Sequence, residues 1–243
     1  MEPVFRFHLD DLPAESRIRG VRSSRNSLVF VCAGRYEEGV ERPAGNLHYH
    51  PAGDEQRADT GTKGPRLIGM CFSEEGETKS LRRWLSDRRE PLGRSATPTF
   101  LRIWRELSSG DPCPIVMESL GHEVLGWLDP DATAERQIPR WLREAHDRVT
   151  GDPTGGHTLS SIARSVSIDR THLAREYRRH FGFSVGEHLR RLRIDTAWQM
   201  LVKGCSIENA AVQAGFYDAA HLKRHLTAMT GWSVSEFRTQ IRN

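Results

Sequence analysis

Short apolar segments fill the first third of the chain and give way to a helical rhythm further on. Between Val4 and Phe72, apolar or alternating runs of a few residues are separated by Gly, Pro and Asn, a pattern typical of a small β sandwich or barrel. Beyond residue 78 the apolar positions recur every three or four residues, which predicts two or three amphipathic helices. These helical groups carry Trp84, Trp104 and Trp127.

A polar stretch with two prolines, residues 129–138, follows the helical groups and predicts a linker. It separates a domain of residues 1–128 from a C-terminal domain of residues 139–243. Charge differs between the two parts, because residues 138–243 carry 16 Arg and Lys against 10 Asp and Glu, a net charge of +6, whereas the remainder has −3. A basic module joined to a mildly acidic one fits a nucleic-acid-binding part, although a merely soluble basic face is the alternative.

The helices of residues 78–128 have two interpretations. Their tryptophans pack against the β sheet, or an apolar face left over after the sheet is covered forms a dimer interface. The sequence leaves both open.

The cysteines and the absence of long apolar runs bear on the compartment. Cys32, Cys71, Cys113 and Cys205 are far apart and show no CxxC spacing, so neither a zinc cluster nor a disulfide framework is indicated. The first residues do not show the basic segment and apolar run of a signal peptide. The sequence also contains no run of eighteen apolar residues that would predict a transmembrane helix. We therefore expect a cytoplasmic protein that does not enter a membrane.

An internal repeat occupies the C-terminal region. Leu159–Ile168 (LSSIARSVSI) aligns with Ile207–Phe216 (IENAAVQAGF) at an offset of 48, and after one inserted residue, Tyr217, the offset becomes 49. The match continues through GFSVGE and GWSVSE. A duplicated unit of this size is unlikely to arise by chance.

Each copy has the sequence features of a helix-turn-helix. A small residue in the first helix, Ala163 or Ala211, lets a second helix cross closely. Four residues later comes the turn position, Ser167 or Gly215, of which the glycine is free to adopt a positive φ. Aspartates at positions 169 and 218 are the expected N-caps of the second helices.

The outer face of each second helix is the candidate DNA-reading surface. Leu173 or Leu222 points inward and fixes the helix, which leaves the opposite face free. Arginine on such a face suits the major groove, because a guanidinium bonds guanine in a bidentate fork. A solvated basic helix in an ordinary bundle is the alternative, which the matching Arg positions of the two copies disfavour. The outward residues are Arg170, Thr171, Ala174, Arg175, Arg178 and Arg179 in the first copy and Ala219, Ala220, Lys223 and Arg224 in the second.

The segment between the copies, VGEHLRRLRIDTAWQMLVKG, predicts one continuous helix. Such a helix would hold the two second helices at a fixed separation, and recognition helices roughly 34 Å apart can enter successive major grooves. The expected phosphate contacts are Arg170, Arg178, Arg179, Arg190 and Arg191.

Residues 139–243 resemble the DNA-binding domain of the AraC/XylS family of transcription regulators. The resemblance rests on TLSSIARSVSIDRTHLAREYRRHFGFSVGEHLRRLRIDTAWQML and on the more specific SIENAAVQAGFYDAAHLKRHLTAMTGWSVSEFR. It implies a seven-helix domain that binds double-stranded DNA, with RNA polymerase as a further partner if the protein is an activator. Base-facing positions carried over from the family are Thr171, Ala174, Arg175, Ala219, Ala220, Lys223 and Arg224, and His221 is added to the DNA-binding set.

The same resemblance implies a cupin-like N-terminal domain that senses a small-molecule effector or forms a homodimer. The segment PAGNLHYHPAGDEQRADTG and the strand-then-helix order are similar to that pattern. The expected fold class is therefore α+β, with a small cupin-like barrel or sandwich followed by helices, then an all-α domain with two helix-turn-helix units.

One constellation in that segment has the spacing of a first metal motif in cupin enzymes. His48, His50 and Glu55 spell HxHxxxxE, and two histidines with a carboxylate could hold a divalent metal. Against this, no second motif supplies another histidine, and Pro51 and Gly53 read equally well as a hairpin turn. We therefore expect no metal, no other cofactor and no enzymatic activity, the alternative being a cupin-type metalloenzyme fused to a DNA-binding domain.

Overall fold

Two antiparallel β sheets form the N-terminal part of the chain. The computed structural model describes residues 4–72, 94–128 and 138–242. The strands are β1 (Phe5–Asp11), β2 (Arg17–Arg22), β3 (Asn26–Ala33), β4 (Arg35–Glu37), β5 (Glu41–Pro43), β6 (Leu47–His50), β7 (Glu55–Thr60) and β8 (Arg66–Phe72). One sheet has the order β1-β8-β3-β6 and the other β2-β7-β4-β5, so the described strands form a sandwich rather than a closed barrel.

The first sheet is covered on both faces. Along β3, Leu28 and Phe30 pack against helices, whereas Val29 and Val31 face the second sheet, because successive side chains of a strand point to opposite faces. A sheet buried on both sides needs continuous apolar runs, which accounts for the sequence SLVFVC.

Helices follow the sandwich and continue to the C terminus, which confirms the expected α+β class. The predicted first helical group, with Trp84, lies outside the described residues, as do residues 129–137 of the predicted linker. A short 3₁₀ turn, Arg94–Ala96, precedes the first described α-helix. The α-helices are α1 (Thr97–Leu107), α2 (Pro114–Leu128), α3 (Arg140–Gly151), α4 (Leu159–Ser165), α5 (Arg170–Phe181), α6 (Val185–Val202), α7 (Ile207–Gln213), α8 (Ala219–Thr230) and α9 (Val234–Arg242).

Helix α1 joins the sandwich to the C-terminal helices. On one side Phe100 stacks on Phe30 of β3, with ring centroids 4.9 Å apart. On the other side the buried Trp104 contacts Trp198 of α6 and Trp232, at centroid distances of 5.8 and 5.6 Å. The Trp232 indole also donates a hydrogen bond to a backbone carbonyl of α1 at 2.8 Å. Trp104 therefore packs inside the chain, and not on a free face available to a second copy.

Arg191 of α6 is buried beneath α1 and α2. Its guanidinium lies 3.9 Å from the centre of the Trp127 ring, which itself stacks on Phe183. The Nε group donates to the carbonyl of Ser95 at 2.8 Å, and a second nitrogen lies 3.0 Å from the Glu123 carboxylate. The expected phosphate contact at Arg191 is therefore wrong, because its side chain is only 8% exposed. Burial lowers the pKa of Arg191 to about 10, which leaves it charged at neutral pH beside Glu123.

Further polar contacts connect α6 to the segment formed by the 3₁₀ turn and the first residue of α1. The Thr97 hydroxyl donates to the Asp195 carboxylate at 2.7 Å, and the hydroxyl of Ser95 lies 2.8 Å from Nε2 of His188. All four residues are buried. Since a buried polar group is costly without its partner, these bonds fix the position of the segment on α6.

Removal of the Trp104 side chain should destabilise the whole chain. We expect Trp104→Ala to lower the free energy of unfolding by about 3–5 kcal/mol, because a large aromatic side chain is lost from a filled core. Urea unfolding followed by circular dichroism measures the change. The control is Tyr217→Ala, whose side chain is 89% exposed and should cost less than about 0.5 kcal/mol. Equal costs for the two variants would contradict the described packing.

Candidate nucleic-acid interface

The C-terminal helices contain two helix-turn-helix units in tandem. Unit 1 consists of α4 and α5, and unit 2 of α7 and α8. In each unit the first helix has seven residues and the second has twelve. The repeat in the sequence is therefore also a repeat in structure.

The turns of the two units share one backbone path. The residue at the turn position has a positive φ in both, 56° at Ser167 and 78° at Gly215. The next amide in each turn donates a hydrogen bond to the carbonyl of the small residue in the first helix. Ile168 donates to Ala163 and Phe216 donates to Ala211, at 2.9 Å in both units. Unit 1 thus adopts the left-handed conformation without a glycine.

An aspartate caps the second helix of each unit, as the sequence predicts. Asp169 accepts hydrogen bonds from the amides of Thr171 and His172, at 2.8 and 3.1 Å. Asp218 accepts one from the amide of His221 at 2.6 Å. The amides of His172 and Thr171 hold the pKa of the Asp169 carboxyl below its ordinary value. Both carboxylates also oppose the positive end of the helix dipole.

The inward residues of the units fix the second helices as expected. Ala163 and Ala211 are buried where the helices cross, and Leu173 and Leu222 have no exposed surface. Unit 1 packs in its own apolar cluster with α3 and the first half of α6. Unit 2 packs in a larger cluster that also contains the first β sheet and α1.

The outer face of α5 carries exposed arginines. Arg175 is held in place by neighbours on its own helix, since its guanidinium lies 3.0 Å from His172 and 3.2 Å from the Glu176 carboxylate. The Arg175 side chain nevertheless remains 70% exposed. Glu176 also lies 3.5 Å from Arg179. The exposed residues of the predicted set on α5 are Arg170, Thr171, Arg175, Arg178 and Arg179, and Ala174 is partly exposed.

The outer face of α8 is less charged. Ala220, Lys223 and Arg224 are exposed, whereas Ala219 and His221 are partly buried. The Nε2 atom of His221 lies 2.9 Å from that of His225. Arg190 on α6 is exposed as well.

Tyr217 is a surface residue that the sequence did not single out as functional. It lies directly before the N-cap of α8 and is 89% exposed. Its position as the one inserted residue in the repeat was the available signal. A large exposed aromatic at the start of a recognition helix adds to the candidate DNA surface.

A second candidate site lies between the two sheets. A cavity of about 300 Å³ is lined by residues of both, including His8, Val29, Tyr36, His50 and Leu67. The sequence motif grouped Glu55 with His48 and His50 as possible metal ligands. In the structure the carboxylate near the two histidines is that of Glu38. Within the part of the chain that the structure describes, Glu38, His48 and His50 bring one possible ligand atom each to within 4.8 Å of the others.

Residues 162–240 match a family described as a helix-turn-helix domain. This segment is a helix-turn-helix domain of the AraC type, so the resemblance seen in the sequence is confirmed there. The chain accordingly carries a DNA-binding domain of the kind found in transcription regulators. A comparison with curated protein sequences gives no match.

Solved structures of several regulators are similar to this chain. ToxT from Vibrio cholerae is 11% identical over 99% of this chain and 100% of its own, with a TM-score of 0.41. The C-terminal domain of AraT, a response regulator from Geobacillus stearothermophilus, is 19% identical over 43% of this chain and 88% of its own, with a TM-score of 0.41. The DNA-binding domain of AdpA in complex with a target DNA is 20% identical over 42% and 92%, with a TM-score of 0.40.

Among the described residues, none of the helices combines the length and apolar character needed to cross a membrane.

The two turns should respond differently to substitution. We expect Gly215→Ala to lower the free energy of unfolding by about 1–2 kcal/mol, because an L side chain is strained at positive φ and its Cβ would lie 3.2 Å from Thr154 and Arg193. Ser167→Gly should leave the free energy of unfolding unchanged or raise it, since glycine adopts this φ without strain. Urea unfolding of both variants makes the comparison. A loss of stability in Ser167→Gly as large as in Gly215→Ala would show that the turns are not equivalent.

Proposed function

We propose that the protein recognises a specific DNA sequence by placing α5 and α8 in successive major grooves on one face of the duplex. The observation that carries this proposal is the pair of equivalent recognition helices, each capped by aspartate and each presenting exposed basic residues, on a single connecting helix. Helices of this kind enter the major groove with their N-terminal residues on the base edges.

The connecting helix α6 supports a fixed spacing of the two recognition helices, α5 and α8. Helix α6 has 18 residues and is therefore about 27 Å long. Its first half, with Leu189 and Leu192, belongs to the core of unit 1. Its second half, with Trp198 and Leu201, belongs to the core that contains unit 2. Because each end of α6 is packed in the core of one unit, the recognition helices α5 and α8 cannot rotate relative to each other.

The two recognition helices differ in the side chains that they present to DNA. Arg175 on α5 and Arg224 on α8 stand at equivalent positions of the repeat and are the proposed base contacts of their units. The proposed phosphate contacts are Arg170, Arg178, Arg179 and Arg190. With two alanines near its start, α8 has fewer polar groups for base edges than α5.

The N-terminal sandwich is the proposed sensing part. The cavity between the sheets is large enough for a small molecule, and it combines apolar walls with polar groups of Tyr36, His50 and Arg57. An effector bound there would reach unit 2 through the first sheet and α1, which share one apolar core. The proposal assigns no catalytic step to the chain. It includes action in the cytoplasm, homodimerisation through the N-terminal part and, for an activator, contact with RNA polymerase.

Loss of either arginine should weaken specific binding. With a target site obtained by selection from random DNA, we expect Arg175→Ala and Arg224→Ala each to cost about 1–3 kcal/mol of binding free energy. Each variant should relax base preference in only one half of the site. Full-length protein is used, because α1 covers Trp198 and Trp232. Mobility-shift titrations on a set of single-base variants of the site measure both effects.

The matched control is Arg17→Ala, which removes the same charge from an exposed position on the sandwich, 83% exposed. It should leave both affinity and base preference unchanged. If both reader variants relax the same base positions, one unit serves only as scaffold and the two-groove proposal is wrong.

The spacing of the half-sites gives an independent test. Insertion of about five base pairs between them rotates one groove to the far side of the duplex, which a rigid α6 cannot follow. Affinity should fall to that of a single half-site, measured on DNA in which the other half is scrambled. An insertion of about ten base pairs serves as comparison. It returns both grooves to the same face of the duplex but leaves the two half-sites one turn further apart. Unchanged affinity after the five-pair insertion contradicts the rigid spacing.

A further inference from the structure

We propose that Glu38, His48 and His50 form a binding site for one divalent transition-metal ion, such as Zn²⁺, in the cavity between the two sheets. The proposal rests on the sensing role given above to that cavity, but the metal itself is measured without DNA. Failure of this inference is therefore distinguishable from failure of DNA recognition.

The fold brings the three residues together from different elements. His48 and His50 alternate along β6, so both project from the same face of the first sheet, toward the second. Glu38 follows β4 of the second sheet. The Nε2 atom of His50 lies 3.6 Å from a carboxylate oxygen of Glu38, and one ligand atom of each residue lies within 4.8 Å of the others. Ligands about 2.0–2.2 Å from one ion require only a small further approach.

One buried nitrogen of His48 is available to bind an ion. His48 is 4% exposed, and its Nδ1 atom has no hydrogen-bond partner. Its other nitrogen, Nε2, is hydrogen-bonded to the Tyr36 hydroxyl. When Nε2–H donates to Tyr36, Nδ1 presents a lone pair, which is the arrangement by which an outer partner orients a metal-binding histidine. A bound cation would satisfy an atom that is otherwise costly to bury.

The charges around the three residues are mixed. Arg42 and Arg57 are the cationic neighbours, and Asp54 is a second carboxylate near Glu38. The Glu38 carboxylate supplies the negative charge that faces the ion directly.

Three protein ligands leave the ion an open coordination position. In zinc sites of this kind the fourth position is held by water or by a bound molecule. Since His50, Tyr36 and Glu38 also line the cavity, a small effector with a metal-binding oxygen or nitrogen could complete the coordination. The site differs from the motif read in the sequence, because Glu55 lies on β7 and its carboxylate is 3.4 Å from Arg57.

The test uses full-length protein freed of metal by a chelator. Calorimetric titration with Zn²⁺ should give one tight site per chain, and Co²⁺ should give visible absorption bands characteristic of nitrogen ligation. Glu38→Gln and His50→Gln should each weaken Zn²⁺ binding by at least about tenfold and change the Co²⁺ spectrum. At equal Zn²⁺ concentration, the melting temperature should rise more in the wild type than in these variants.

Two control variants separate this site from its competitors. Glu55→Gln removes the carboxylate of the sequence motif and should bind Zn²⁺ as the wild type does. His225→Gln removes one member of the His221–His225 pair on α8, another place where histidine nitrogens approach closely, and should also bind normally.

Several outcomes would overturn the proposal. These are the absence of a stoichiometric site, loss of binding in His225→Gln instead of His50→Gln, or equal effects of Glu55→Gln and Glu38→Gln. Circular dichroism checks the folding of each variant. If Glu38→Gln does not fold, the decision falls to His50→Gln and the wild-type Co²⁺ spectrum, because unaltered binding or a spectrum without nitrogen ligation rejects the site.

Discussion

The burial of α6 on several sides is the constraint on which the rest of the structure depends. An ordinary surface helix keeps one apolar stripe for the core and leaves the opposite side to water. Helix α6 instead buries Leu189 and Leu192 against unit 1, Trp198 and Leu201 against the core of unit 2, and Arg191 against the segment around α1. The helix therefore sets the relative position of three parts of the chain at once.

This constraint explains why charged and polar residues are found inside the C-terminal region. A helix enclosed on most sides cannot direct every polar residue to solvent, so Arg191, Asp195 and His188 need partners within the chain. Ser95, Thr97 and Glu123 supply them, all from residues before the predicted linker. Such contacts orient the two parts because the bonds hold only in one arrangement.

Much of the C-terminal region could be predicted because its determinants are local. The caps at Asp169 and Asp218, the small residue at Ala163 and the turn at Gly215 act within a few residues of their own position. The role of Arg191 could not be predicted in this way. Its partner Glu123 is 68 residues away in the sequence, and the residues next to Arg191 do not show whether its side chain is exposed or forms a buried ion pair.

The candidate site in the sandwich shows the same limit. The pair His48 and His50 was visible as an alternation along one strand, but its carboxylate neighbour was not. Glu38 comes from the opposite sheet, and the sequence spacing instead favoured Glu55. Contacts between sheets depend on how the sheets face each other, which no spacing along one strand encodes.

The shared apolar core has a consequence for how such a chain can be recombined. The first sheet, α1 and unit 2 contribute to one continuous cluster, whereas unit 1 has a cluster of its own. A cut at the polar stretch after α2 would separate Trp104 from Trp198 and Trp232 and expose all three. The N-terminal sandwich and the helix-turn-helix units can therefore not be exchanged independently, and a functional chimera must exchange α1 together with the face of α6 and α8 that it covers.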